Sequence, residues 1–84
     1  MHFVYILKSQ IDPAKHYVGL TDDIDRRLKE HNQGRSIYTN KYQPWNLVSY
    51  VAFSAKDRAE QFEKYLKRGS GHAFLKKYLI YSST

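Results

Sequence analysis

The stretch YVGLTDDIDRRLKEH, from Tyr17 to His31, decides the fold of this chain. Its first residues suit a β-strand, and Gly19 permits a turn or a close approach that a side chain would block. Short polar residues that can cap a helix follow directly: Thr21, Asp22 and Asp23. We therefore predict a strand that ends at the glycine, followed by an amphipathic helix over Asp23–Gln33.

The predicted helix turns two polar side chains toward its own buried side. Ile24 and Leu28 define the inward face, and at about 100° per residue Arg27 and His31 fall within roughly 60° of Ile24. Arg26 lies about 200° away and is expected in water. An arginine and a histidine on an inward face require a partner or a function.

Length and composition predict one small domain over residues 1–84, since 84 residues provide only a thin core. No stretch has the length and apolarity of a membrane span or of a signal peptide, so we expect no membrane partner. The chain has no cysteine, which excludes disulfides and thiolate metal sites. A cytoplasmic location fits this composition.

The net charge of +6 favours a polyanionic partner, although a merely soluble basic surface explains it equally well. Tyrosines interleaved with lysine and arginine are typical of nucleic-acid surfaces, but tyrosines also serve as half-buried packing residues. The cations that we predict to contact nucleic acid are Arg26, Lys41, Lys64, Lys67 and Arg68. A solvated helix face is the alternative for the last three.

The rest of the chain predicts two more strands and two more helices. His2–Ser9 has apolar residues at both parities, which indicates a central strand covered on both faces. The third strand is Trp45–Phe53, with one face formed by Leu47, Ser49, Val51 and Phe53. The segment between Gly34 and Trp45 is predicted as a loop. The helices are expected over Ala55–Lys67, capped by Ser54, and over His72–Ile80.

Glu63 also turns inward, because it lies about 40° from Ala59 on the helical wheel. Burying such charges unpaired is costly. Arg27 and Glu63 are therefore expected either to form a structural ion pair or to meet, with His31, at a ligand-binding cleft.

These residues resemble the GIY-YIG nuclease domain family over essentially the whole chain. Val4-Tyr5 is similar to the first half of the family motif and Tyr17-Val18-Gly19 to the second half. Arg27 and His31 match the helix that follows, and Glu63 in AEQFEKYLK matches the family's metal-binding glutamate. The resemblance is especially close to small stand-alone bacterial members. It implies an α+β fold in which helices flank a three-stranded, mainly antiparallel sheet.

The resemblance also implies hydrolysis of a phosphodiester with one divalent metal, Mg²⁺ or Mn²⁺, at Glu63. Arg27 would hold the phosphate, Tyr17 would activate the attacking water, and Tyr5 and His31 would orient the reactants. A lone carboxylate suits Mg²⁺, which retains several waters. Histidine titrates closer to neutral pH than tyrosine does, so His31 is the competing base.

Two positions depart from the family pattern: Phe3 replaces a glycine, and Leu20 stands where some members have a lysine or serine. The site also depends on strand register. Tyr5 and Tyr17 share a face only if the paired residue numbers sum to an even value, as in a pairing of Tyr5 with Gly19.

We therefore expect a metal-dependent endonuclease that hydrolyses DNA phosphodiester bonds, with RNA as the alternative substrate. Its small size predicts structure-dependent or low-specificity cleavage, or a protein partner that supplies targeting. A non-catalytic nucleic-acid-binding module that retains the fold is the alternative. A protein-interaction domain with a structural Arg27–Glu63 pair is the third interpretation.

Overall fold

The computed structural model describes residues 1–35 and 37–80. The strands are β1 (His2–Ser9), β2 (His16–Thr21) and β3 (Trp45–Phe53). The helices are α1 (Ile24–Asn32), α2 (Ile37–Tyr42), α3 (Lys56–Leu66) and α4 (Gly69–Phe74), and a π-helical segment, Leu75–Leu79, continues α4. Within these described ranges no helix has the length and apolar character needed to cross a membrane.

The strands form a three-stranded sheet in the order β2-β1-β3, and both pairings are antiparallel. This confirms the predicted α+β fold. Tyr5 pairs with Gly19 in β2, so the residue numbers sum to an even value. Leu7 pairs with Tyr17, and because alternate residues share a face, Tyr5 and Tyr17 lie on the same side of the sheet. The expected register is therefore confirmed.

Each face of the sheet carries its own layer. On one face β1 and β2 contribute Val4, Ile6 and Val18 to a core that includes Ala59, Leu66 and Leu75 of the later helices. On the other face the core consists of Tyr5, Leu7 and Trp45, against which Ile24 and Leu28 of α1 pack. The central position predicted for β1 is confirmed, and α1 and α3 cover opposite faces.

The segment predicted as a loop contains helix α2. Thr39 in this helix is fully buried, and its carbonyl oxygen accepts a hydrogen bond from the Trp45 indole nitrogen at 2.8 Å. Asn32 at the end of α1 bonds both backbone groups of Trp45, at 2.6 and 3.2 Å. Tertiary contacts to Trp45, rather than an amphipathic face, hold this helix in place, so it forms without an apolar period in its sequence.

The third strand contains a bulge that divides its predicted face. Ile6 pairs with Ser49 but Leu7 pairs with Leu47, so Val48 is an extra residue in β3. Leu47 therefore packs with Leu7 on the α1 side, opposite to the face of Ser49, Val51 and Phe53. The expectation that all four share one face is wrong for Leu47.

Two helix starts also differ from expectation. The N-cap of α3 is Ala55, with no side-chain cap, rather than Ser54. Helix α4 begins at Gly69, before the predicted His72. Gly71 lies inside this helix, buried so closely against the Tyr65 carbonyl that a Cβ there would overlap it. The predicted cap of α1 is confirmed: the Asp23 carboxylate accepts a hydrogen bond from the Arg26 backbone N–H at 3.1 Å.

Candidate active site

His31 lies at the centre of a buried hydrogen-bonded cluster. It is in the last turn of α1, is 0% exposed, and turns toward the sheet as the helical wheel predicts. Its Nε2 is 2.8 Å from the Tyr5 hydroxyl, and its Nδ1 is 2.9 Å from the Thr39 hydroxyl. Both ring nitrogens are therefore already engaged by neighbouring side chains.

Arg27 lies one turn earlier on the same helix, at the edge of this cluster. Its guanidinium donates to the Glu30 carboxylate at 3.0 Å and also hydrogen-bonds the Tyr5 hydroxyl. These two bonds raise the pKa of Arg27, the Glu30 bond contributing more. The arginine is 35% exposed, so it connects the buried cluster to the surface.

The Arg27–Glu63 ion pair expected from the helical wheel is not formed. Arg27 pairs with Glu30, and Glu63 pairs with Lys67. A glutamate three residues along the same helix is within easy reach of the arginine. Glu63 belongs to α3, which packs on the opposite face of the sheet from α1.

The hydrogen bonds of the cluster form a consistent set of donors and acceptors. A guanidinium only donates, so the Tyr5 oxygen accepts from Arg27, and its O–H can donate to His31 Nε2. In the His31 tautomer that matches this arrangement, the proton is on Nδ1, which donates to Thr39. Burial raises the pKa of Tyr5 to about 12, and burial together with Arg27 lowers the pKa of His31. At neutral pH the tyrosine is therefore protonated and the histidine uncharged.

Gly19 is required by the position of Tyr5. A Cβ added at Gly19 would overlap the Tyr5 ring and hydroxyl, lying 2.7 Å from Cε1. The two residues are cross-strand partners, so the ring lies flat over the glycine backbone. This is the close approach predicted for Gly19, whereas the prediction that the strand ends at the glycine is wrong, because β2 continues to Thr21.

Tyr17 is the half-buried neighbour of this cluster, on the edge strand β2. The centroid of its ring is 4.8 Å from that of His31 and 6.2 Å from that of Tyr5. Tyr17 is half-buried, whereas Tyr5 and His31 are 1% and 0% exposed. Among the three rings, Tyr17 is thus the one that reaches solvent.

Glu63 lies in α3, in the layer on the other face of the sheet. Its Oε2 accepts a hydrogen bond from the Lys67 ammonium at 2.9 Å, and the carboxylate is 21% exposed. Lys67 also lines a cavity of about 330 Å³ with Tyr17 along β2. The structure thus brings Tyr5, Tyr17, Arg27 and His31 together, and connects Glu63 to them only through Lys67 and this cavity.

The chemistry of the Glu63 carboxylate fits a hard divalent cation. Carboxylate oxygen is a preferred ligand of Mg²⁺, which commonly uses one or two carboxylates together with waters and substrate phosphates. In residues 1–35 and 37–80 no cluster of three or more histidine, aspartate or glutamate side chains forms a further candidate site. In this structure the Lys67 ammonium provides the positive charge beside Glu63.

The cations predicted to contact nucleic acid are all exposed, but they are not equivalent. Arg26 pairs with Asp22 at 3.1 Å and Lys67 with Glu63. Lys64 and Arg68 line a shallow pocket beside Tyr65, and Lys41 lies in α2.

Sequence reasoning missed two members of the cluster, Glu30 and Thr39. The spacing of Glu30 from Arg27 was a usable signal, since three residues separate neighbours on a helix. Nothing local marks Thr39, because its contact with His31 depends on the path of α2.

A comparison with known protein families shows to which family this chain belongs. The sequence profile of the GIY-YIG catalytic domain matches residues 1–78. The chain belongs to the GIY-YIG family. The expected class of enzyme, a GIY-YIG-type endonuclease, is confirmed by this membership and by endonuclease relatives.

Small bacterial proteins and larger endonuclease subunits are among the relatives. The UPF0213 protein of Halalkalibacterium halodurans is 39% identical over 67 residues, which is 79% of this chain and 69% of that protein. Its solution NMR structure aligns over the same shares with a TM-score of 0.48. The UPF0213 protein YazA of Bacillus subtilis is 37% identical over 68 residues, 80% of this chain and 67% of YazA. The structure-specific endonuclease subunit SLX1 homolog of Giardia intestinalis is 34% identical over 65 residues, 73% of this chain but 18% of that protein.

The geometry explains why this GIY-YIG chain tolerates its two departures from the pattern. The side chain of Phe3 is accommodated where the family has a glycine, and its ring packs edge-on against Tyr50 with the centroids 5.8 Å apart. Leu20 packs into the core on the α3 side of the sheet, away from the face of Tyr5 and Tyr17.

Proposed function

We propose that the chain is a metal-dependent endonuclease that hydrolyses DNA phosphodiester bonds with structure-dependent or low specificity. The observation that carries this proposal is the position of Arg27. It is held by Glu30 on one side and Tyr5 on the other, and Tyr17 lies beside the same cluster. We treat residues 1–84 as one nuclease domain.

Arg27 binds the scissile phosphate in this proposal. Glu30 and Tyr5 occupy part of its guanidinium and fix its plane, and the remaining N–H donors can hold two phosphate oxygens at once. A lysine presents a single point charge without this fork. The same donors then stabilise the charge that grows on the phosphate as water attacks.

Tyr17, rather than His31, orients and activates the attacking water. The group that activates water must reach the solvent side of the phosphate, and Tyr17 is half-exposed on the edge strand. His31 is fully buried, and both its nitrogens are bonded. His31 therefore acts as a positioning residue, which holds the Tyr5 hydroxyl toward Arg27.

Glu63 is the residue that would hold Mg²⁺ or Mn²⁺. When bound, the cation would supply positive charge to the phosphate and the leaving oxygen. Lys67 must release the carboxylate for this to occur, so the metal and the ammonium compete for one site. Weak metal affinity in the absence of substrate follows from the single carboxylate.

The nature of the substrate is supported by the relatives and by charge. The Giardia relative is named as a structure-specific endonuclease subunit, which supports structure-specific cleavage and a protein partner for targeting. Branched DNA as the substrate and a role in DNA repair are part of the proposal. The net charge of +6 supports a nucleic-acid substrate. DNA in preference to RNA and a cytoplasmic location remain predictions.

A substrate panel tests this proposal. Labelled duplex, flapped, branched and single-stranded DNA, with matching RNA, are incubated with the purified chain and Mg²⁺ or Mn²⁺. We expect cleavage of DNA with unpaired or branched regions, lost in Glu63→Gln and on chelation. Glu60→Gln, an exposed glutamate on the same helix, is the matched control and should retain activity. Salt-sensitive binding without any cleavage would instead indicate the non-catalytic module.

A further inference from the structure

We propose that the cavity beside Tyr17 binds an unpaired nucleobase next to the scissile phosphate, with the ring of Tyr38 as its stacking surface. This inference rests on the proposed endonuclease function and names the substrate feature that the site selects. The cavity, of about 330 Å³, lies between β2, α2 and the later helices.

The floor of the cavity is apolar. Val18, Leu66 and Leu75 line it, and they are 6%, 0% and 1% exposed. They belong to the core on the α3 side, so this surface is rigid rather than a gap between mobile segments. An apolar floor suits the ring of a nucleobase and offers little to a small hydrated ion.

Tyr38 provides an aromatic wall that the proposed reaction does not use. Its side chain is 44% exposed, yet its ring is held by neighbours: the centroids of Tyr42, Tyr17 and Trp45 lie at 5.5, 6.1 and 6.3 Å. Trp45 is itself buried and anchored to α2. An exposed but fixed aromatic ring is the feature on which proteins stack unpaired bases.

The rim of the cavity carries nitrogen groups that can contact a phosphate. The Lys67 ammonium lines it, and so do the imidazoles of His16 and His72, whose ring centroids are 6.1 Å apart. An ammonium and two imidazoles around an apolar and aromatic slot match a nucleotide, which combines a flat base with phosphates. An uncharged aromatic ligand would make no use of the rim.

The shared position of Tyr17 relates this cavity to the reaction. Tyr17 lines the cavity and also contacts the cluster that holds Arg27. A base in the cavity therefore belongs to a nucleotide that flanks the phosphate on Arg27. Bases inside a duplex are stacked and paired, so entry requires an unpaired base at a flap, junction or single strand.

Abasic substitution tests this inference with the full, unmodified chain. The cleavage position on a flapped DNA is mapped, and each flanking unpaired nucleotide is replaced in turn by an abasic analogue. One abasic position should lower the cleavage rate at limiting enzyme by about ten-fold, a typical effect of losing one base stack. Tyr38→Ala should lower cleavage of the intact DNA to a similar degree and show no further loss on the abasic DNA. Tyr38→Phe should behave as the wild type, and so should Tyr50→Ala, which removes an exposed tyrosine of β3.

A binding measurement separates this inference from the proposed function. Flapped oligonucleotides that carry the fluorescent base 2-aminopurine at each unpaired position in turn are titrated with the Glu63→Gln protein without metal. Quenching that disappears in the Tyr38→Ala background supports the base site even if no substrate is ever cut. Arg27-dependent cleavage with equal rates on intact and abasic DNA, at both flanks, would overturn the base site and leave the endonuclease proposal standing.

Discussion

Removing the Tyr5 hydroxyl is predicted to weaken both the fold and the reaction. In Tyr5→Phe the ring still packs over Gly19, but His31 Nε2 loses its partner at 2.8 Å in a site that is 0% exposed. Leaving a buried polar atom unsatisfied costs about 1–3 kcal/mol. Total stability for 84 residues is on the order of 4–13 kcal/mol, so this is a large share.

Thermal melts measure the effect on the fold. At roughly 4–8 °C per kcal/mol for a domain of this size, Tyr5→Phe should lower the Tm by roughly 5–20 °C. Tyr50→Phe is the matched control, because Tyr50 pairs with Tyr5 in the next strand but is 54% exposed. Its Tm should stay within about 2 °C of the wild type.

The same variant should react slowly well below its Tm. Arg27 keeps Glu30 but loses Tyr5, and a misplaced phosphate clamp costs roughly ten-fold to a hundred-fold in rate. Single-turnover cleavage measures this directly. Equal melting temperatures for the two variants, or an unchanged rate in Tyr5→Phe, would refute the argument that the Tyr5 hydroxyl connects His31 to Arg27.

Three further predictions follow from individual contacts. Gly19→Ala should destabilise the fold by about 1–3 kcal/mol in urea titrations, because its Cβ overlaps Tyr5; full stability would contradict that packing. Burial lowers the pKa of His31 from 6.5, so the unfolded state binds more protons than the folded state below that pH. The free energy of unfolding should therefore be highest above pH 6.5 and fall on acidification, by at most about 1.4 kcal/mol per pH unit from this group. His31→Asn should reduce this slope. Lys67→Met should lower the Mn²⁺ concentration needed for half-maximal cleavage several-fold, since the cation competing for Glu63 is gone; a higher requirement would show that Lys67 assists the metal.

The sheet and the inward face of α1 were predictable because each depends on local periodicity. Apolar residues at both parities of β1 indicated burial on both faces, and the pairing of Tyr5 with Gly19 matches the register that the motif requires. The inward direction of Arg27 and His31 follows from helix geometry alone.

The partners of those side chains were not predictable, because a helical wheel gives a direction and not a neighbour. Arg27 forms an ion pair with Glu30 on its own helix, and Glu63 forms one with Lys67. Helix α2 has a polar sequence without a period, so the contact of Thr39 with His31 depends on tertiary structure. The bulge at Val48 likewise has no local signal, and it moved Leu47 to the other face.

In the proposed reaction Arg27 holds the scissile phosphate, and single-turnover kinetics can test this role. Single-turnover cleavage of a flapped DNA with Mn²⁺ is compared between the wild type, Arg27→Ala and Arg58→Ala, an exposed arginine of α3. We expect Arg27→Ala to remain folded but to lose cleavage by at least about a hundred-fold, and Arg58→Ala to cut at the wild-type rate. Cleavage by folded Arg27→Ala at the wild-type rate would contradict this role.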